Sequence, residues 1–284
     1  MTTTTTTQAN RGAHSPGSGL SFGGILRSEW IKLRTLRSTF WCYLIIIVVT
    51  IGFGLLLAVS LPSAGQTRAS EQSSWLQVTT LGIGFAQLVV AVLGALVITG
   101  EYGTGMIRST LTAVPKRLPA LVAKAIVFGV VTFVISLLTL VVTALATAPL
   151  VPVKAFAPDF ADADFWLALL GGAGYLALIG ALSLAIGAII RNSAGGIAAS
   201  LGLILVVPTI VQILASLTRA DWARNVGAFL PSDAGGRMYS YAPGAMTPPE
   251  GVISLDPWQG LAVLAAWFVV MFVLAAVLLK RRDA

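Results

Sequence analysis

Apolar positions in this chain come in long unbroken runs rather than in narrow stripes. Stretches free of Asp, Glu, Lys and Arg cover residues 38–67, 72–100, 125–153, 165–190, 192–218 and 257–279. Each exceeds the roughly 20 apolar residues that an α-helix needs to cross about 30 Å of hydrocarbon. A closed β-barrel also satisfies its backbone in lipid, but it reads as alternating segments of about ten residues. These runs are apolar on every face. The pattern therefore predicts six transmembrane helices, at 40–61, 78–100, 121–147, 166–190, 195–217 and 258–279.

Two segments precede the first run. Residues 1–24 contain six consecutive threonines and then Gly, Ser, Pro and His14, with no apolar block. Such a composition reads as a disordered tail rather than a secretory signal. Residues 25–284 form the transmembrane domain. Within it, Leu26, Trp30 and Leu33 recur at helical spacing, while Arg27, Lys32 and Arg34 lie off that stripe. An amphipathic helix of this kind is expected to lie in the membrane interface, with Trp30 at headgroup depth and its basic face toward phosphates.

Inside the spans the polar side chains singled out are Gln87 and Gln212, expected to hydrogen-bond between helices. Ala173, Ala177, Ala181 and Ala185, with Gly180 and Gly187, make a small-residue stripe suited to close helix packing. Pro208 removes a backbone donor and should kink or interrupt the fifth span. The long loop from about 218 to 257 carries an aromatic segment, 221–230, that could form a short helix on the outer surface.

Composition agrees with a lipid environment. The chain is 56% hydrophobic and 10% charged, against about 25% charged in soluble domains. With the N-terminus inside, thirteen of the eighteen basic residues fall in inner segments and five in outer loops. The positive-inside rule then places both termini in the cytoplasm. Orientation and contact with anionic lipid account for the net charge of +7 without a nucleic-acid partner. The single cysteine, Cys42, excludes an internal disulfide and reads as a small buried hydrophobe.

Several chemistries are missing from the sequence. It holds no Gly-x-x-x-x-Gly-Lys-Ser/Thr phosphate loop, no His-Glu-x-x-His pair and no Gly-x-Ser-x-Gly elbow. One histidine cannot build a zinc site. No Asp, Glu, Lys or Arg lies well inside a span, where an ion-coupled transporter would carry one. A transport function would need energy from another polypeptide.

The loop between the second and third spans points to where that energy could enter. Glu101 ends the second span, and Gly103 and Gly105 let the backbone turn away. Met106 to Val114 reads as a short helix with Ile107, Leu111 and Val114 on one face and Arg108 elsewhere, stopped by Pro115. Lys116, Arg117 and Lys124 bracket the start of the third span. The spacing suits helix-in-groove docking on a partner, and suits equally an anchor lying flat on lipid.

Ser28-Glu29-Trp30-Ile31-Lys32-Leu33-Arg34, the run from Glu101 to Arg108 and on through Pro115-Lys116-Arg117 to Lys124, and six spans together resemble the membrane subunit of a bacterial ABC-2-type ABC transporter. The resemblance covers residues 25–284. It implies an all-α polytopic fold in the bacterial plasma membrane and a cytoplasmic ABC ATPase partner that binds ATP and Mg. It also implies a second permease copy, as a homodimer or a related heterodimer, in contact with membrane lipids. Glu101, Met106, Ile107, Arg108, Leu111 and Val114 would form the ATPase-coupling helix. Leu26, Trp30, Lys32, Leu33 and Arg34 would form the interfacial helix. The activity implied is export of a hydrophobic or amphiphilic substrate (a drug, antibiotic, lipid or peptide), with no catalysis in this chain. The alternatives are a six-span scaffold or immunity-type protein and, disfavoured by the empty spans, a secondary transporter.

Overall fold

A computed structural model describes residues 21–60, 68–106, 118–150, 159–240 and 251–281. The threonine-rich segment through residue 20 and the segment 107–117, with Ile107, Arg108, Leu111 and Val114, lie outside them.

The described residues are helical and contain no strand. Six helical stretches are long and apolar enough to cross a membrane: Arg37–Ser60, Gln72–Gly103, Leu118–Thr147, Ala163–Ile190, Ser193–Thr218 and Pro257–Arg281. They coincide with the six charge-free runs, lengthened by a turn or so at several ends. The chain is an all-α polytopic membrane protein. An even number of spans puts the two ends of the domain on one side, here called the terminal end.

The amphipathic helix α1 (Phe22–Thr35) starts at Ser21, whose hydroxyl accepts from the Gly24 amide at 3.2 Å. It begins ahead of the boundary read from composition. One extended residue, Leu36, separates it from α2 (Arg37–Ser60) and redirects the chain into the first span. The face α1 turns to the protein shares only Leu33 with the Leu26, Trp30 and Leu33 stripe read from the sequence. Ile25, Glu29 and Leu33 are buried, whereas Trp30 is exposed and Leu26 only partly covered. Burial thus follows a stripe one residue off the Leu26–Trp30 reading, with a carboxylate at its centre.

The second span is built from α3 (Arg68–Thr80) and α4 (Ile83–Gly103), joined through a turn at residues 81 and 82. Trp75 of α3 is fully buried. It stacks on Phe165 with centroids 4.2 Å apart, and its indole N–H donates to Thr147 Oγ1 at 3.2 Å. This fastens the end of the bundle opposite the termini.

At the centre lies α6 (Ala163–Ile190), with 72% of its apolar window buried, against 11% for the last span. The small-residue stripe explains why. A Cβ on Gly94 of α4 would stand 2.2 Å from the Gly180 carbonyl oxygen, so the close approach of α4 to the α6 backbone requires a glycine at 94, and one on Gly180 would meet the side chains of Phe128 and Val90. Gln87 of α4 accepts a hydrogen bond from the Tyr175 hydroxyl of α6, the interhelical role expected of it.

The third span, α5 (Leu118–Thr147), presents a buried hydroxyl ladder of Thr132, Ser136, Thr139, Thr143 and Thr147. Thr139, Thr143 and Thr147 donate to carbonyls one turn back in their own helix at 2.7–2.8 Å. Thr132 shares a 2.8 Å hydrogen bond with Tyr43 of α2. Because Thr139, Thr143 and Thr147 are satisfied within their own helix, burying them costs little.

The fifth span is interrupted where Pro208 predicts. Helix α7 (Ser193–Leu201) passes into a π-helical turn, Gly202–Val206, before α8 (Val207–Thr218) resumes. The Val207 amide reaches back to the Gly202 carbonyl, the longer bond of a π-turn. Then come α9 (Asp221–Ala228), within the segment read as an outer helix, α10 (Pro231–Gly236), a 3-10 turn at Arg237–Tyr239, and the last span, α11 (Pro257–Arg281). The α10 segment is wedged into the bundle. A Cβ on Gly171 of α6 would meet the Met238 carbonyl, and one on Gly260 of α11 would meet that of Ala234. Ser232 of α10 donates to the Ile204 carbonyl at 2.5 Å. That carbonyl is the one an unbroken α-helix would pair with residue 208, where proline has no N–H. Gln212 of α8 donates to Asp233 at 3.4 Å, again a bond between helices.

Candidate functional site

At the terminal end, three helices bring four charges into one layer. Helix α1 supplies Glu29 and Lys32, the last turn of α4 supplies Glu101, and the second turn of α5 supplies Lys124. Lys124 Nζ donates to Glu29 Oε2 at 2.5 Å and to Glu101 Oε1 at 2.9 Å. Lys32 Nζ donates to Glu29 Oε1 at 2.8 Å and to Glu101 Oε1 at 3.0 Å. The result is a closed ring of two carboxylates and two ammonium groups, neutral as a unit. Glu29, Glu101 and Lys124 are buried, and Lys32 is the member partly open to solvent.

Local sequence explains the ring. Glu29 and Lys32 lie one turn apart on α1, which places both head groups on one face. Ile25 and Leu33 flank Glu29 on the buried stripe, and Ile25 packs with Ala120 and Ala123 of α5. That contact sets α1 across the start of α5 and delivers Glu29 to Lys124. An isolated carboxylate could not be buried there; with two ammonium partners it can. Burial alone would lower the Lys32 pKa, but the hydrogen bond to Glu29 and the charges of Glu101 and Glu29 outweigh it and hold the ammonium above its ordinary 10.5.

The ring borders a cavity of about 310 Å³ whose walls include Leu33, Val97, Phe128 and Met106. A second junction lies at the same end. Arg191 closes α6 in a left-handed conformation (φ 59°) and sets its guanidinium over the Tyr102 ring, 5.4 Å from the centroid. It also donates to the Leu278 carbonyl of α11 at 3.4 Å. Tyr102 follows Glu101 directly, so the end of α4 is tied to α1, α5, α6 and α11.

The structure brings Glu101 and Lys32 together, although the sequence reading assigned them to different elements. Lys32 turns inward to the carboxylates rather than toward lipid phosphates; Arg34 stays exposed, as do Trp30 and Arg27. Leu33 is buried, Leu26 packs at the edge of the Ile25 cluster, and Met106 is exposed at the last described position before the loop. The coupling-helix residues Ile107, Arg108, Leu111 and Val114 fall outside the described residues. Sequence reasoning missed Glu29 and the inward role of Lys124. The available signal was charge balance: a lone acid where the second span ends, bases where the third begins, and an acid–base pair on the neighbouring amphipathic helix.

This arrangement holds no catalytic constellation, and among the described residues no group of His, Cys, Asp and Glu could hold a metal ion. What it can do is mechanical. The two arms of the 104–117 loop are clamped to each other and to α1, so displacement of one must move all three or break buried ion pairs. The family model described as ABC-2 family transporter protein matches residues 25–209, from α1 into α8. No curated protein matches the chain.

Proposed function

The chain belongs to the ABC-2 transporter family, and from that membership we propose that it is the permease subunit of an ATP-driven exporter energised by a separate cytoplasmic ATPase. The single observation that carries the mechanism is the Glu101–Lys124 ion pair across the base of the loop. ATP-driven closure of the ATPase dimer pushes on Met106–Val114. Because both arms are locked to α1, the push moves α4, α5 and α1 together instead of bending the loop. The shift reaches α6 through the Gly94–Gly180 contact and the fifth span through α6, and a path opens away from the cytoplasm.

A ligand shifts such an equilibrium only by contacting its two states differently. In this reading the ATPase supplies that difference at Ile107, Leu111 and Val114, with Glu101 and Arg108 orienting the helix. A second permease copy, identical or related, completes the pathway. The sparsely buried fifth and sixth spans supply apolar surface for that partner and for lipid. The cargo is hydrophobic or amphiphilic, and the setting is the bacterial plasma membrane. Replacing Ile107 and Leu111 together by Asp tests the reading. Transport should be lost while insertion and expression persist, and normal transport in that variant would refute docking through the apolar face.

A further inference from the structure

At the end opposite the termini, a cleft of about 780 Å³ opens between α8, α9 and the α10 segment. One side is apolar, with Val211, Ala215, Val252 and Ile253. The other carries charge. Asp233 and Arg237, one turn apart, both line the cleft. Among the described residues neither has an oppositely charged group within ion-pair distance, and Arg224 on the rim pairs with Asp221 at 3.6 Å. The walls are fixed. Asp233 is held by Gln212 and lies against the backbone at Gly227. Asn225 accepts from the Ile253 amide at 2.8 Å and donates to the Gly251 carbonyl at 3.0 Å, which pins the 251–253 wall onto α9.

A carboxylate and a guanidinium side by side, neither in an ion pair among the described residues and both facing an apolar wall, suit a ligand with both charges and a tail. We infer that this cleft binds the zwitterionic head of a phospholipid from the leaflet opposite the termini, its ammonium on Asp233 and its phosphate on Arg237, with acyl carbons along Val211, Ala215, Val252 and Ile253. A cation alone would meet the guanidinium, and an anion alone would meet the carboxylate. Burial pushes the Asp233 carboxyl above its ordinary range, against the opposing influence of Gln212 and Arg237. The α10 segment that carries both residues is hydrogen-bonded through Ser232 to the broken turn of the fifth span, so an occupied cleft would brace that break. The inference stands apart from the ATPase reading, because binding needs neither ATP nor a partner.

Native mass spectrometry of the full-length purified protein tests it, with phosphatidylethanolamine and phosphatidylglycerol of matched acyl chains as probes. Phosphatidylethanolamine should be retained about tenfold more strongly, the worth of one charge-assisted hydrogen bond. Free phosphoethanolamine should compete and glycerol phosphate should not. Asp233→Asn should abolish the preference and Arg237→Gln should weaken retention of both lipids, whereas Asp233→Glu should keep the preference and Arg237→Lys the retention. Equal retention of the two lipids by the unmodified protein would overturn the assignment whether or not the variants fold, and so would an undiminished preference in Asp233→Asn or undiminished retention of both lipids in Arg237→Gln.

Discussion

Glu101 at the end of α4 and Lys124 near the start of α5 meet in a buried ion pair of 2.9 Å, with Glu29 of the preceding amphipathic helix on the far side of the same ammonium. In the proposed mechanism this ring makes the ends of α4 and α5 move with α1 as one unit, since separating them breaks buried ion pairs. Lys124 should therefore be the least replaceable member of the ring. Lys124→Met leaves two buried carboxylates sharing Lys32 and should destabilise the protein by about 3–5 kcal/mol. Glu29→Gln combined with Lys124→Gln should cost clearly less than the sum of the single changes, since the partners couple. Thermal unfolding in detergent measures both.

The ring should be insensitive to pH in the physiological range. The Lys32 pKa lies above its unfolded value of 10.5, so its contribution is complete below 10.5 and is lost as pH rises through the folded value. The difference in melting temperature between the native protein and Lys32→Gln should stay constant from about pH 7 to about pH 10 and shrink only above that. A difference that already fades below about pH 9 would contradict this.

How far the ring could be read from the sequence depends on what each part required. The spans were legible because lipid demands about 20 consecutive apolar residues, and the charge-free runs supply them. Pro208 announced the broken fifth span, since a missing N–H has the same consequence in any helix. The orientation of α1 was not legible. The stripe of Leu26, Trp30 and Leu33 says which face meets lipid, but only the Lys124 ammonium brought by α5 shows that Glu29 can be buried on the face beside it. The hydroxyl ladder of α5 also escaped notice, because threonines bonded to their own helix sit among valines without disturbing the apolar pattern.

Close packing at the bundle centre gives a paired prediction. Gly94→Ala would drive a methyl into the Gly180 carbonyl and should cost about 1–3 kcal/mol. Gly52→Ala, where nothing lies within 4 Å of the added carbon, should be neutral or slightly stabilising. Melting temperatures of the two variants, purified side by side, decide the matter.

Ser232 should matter because Pro208 is present. Ser232→Ala deprives the Ile204 carbonyl of its donor and should cost about 1 kcal/mol. In a Pro208→Ala background, where a backbone N–H is restored, the same change should cost measurably less. Equal costs in both backgrounds would separate the serine from the break.

The central claim is that energy enters at the loop that Glu101 and Lys124 close, and a crosslink tests it most directly. A cysteine at Ile107, in a Cys42→Ser background, is coupled to a short bifunctional reagent in membranes, and the captured protein is identified by mass spectrometry. The account predicts an ABC ATPase carrying its own phosphate-binding loop, with capture lost when Leu111→Asp is added. Capture of lipid alone, or of a protein without a nucleotide-binding site, would contradict it.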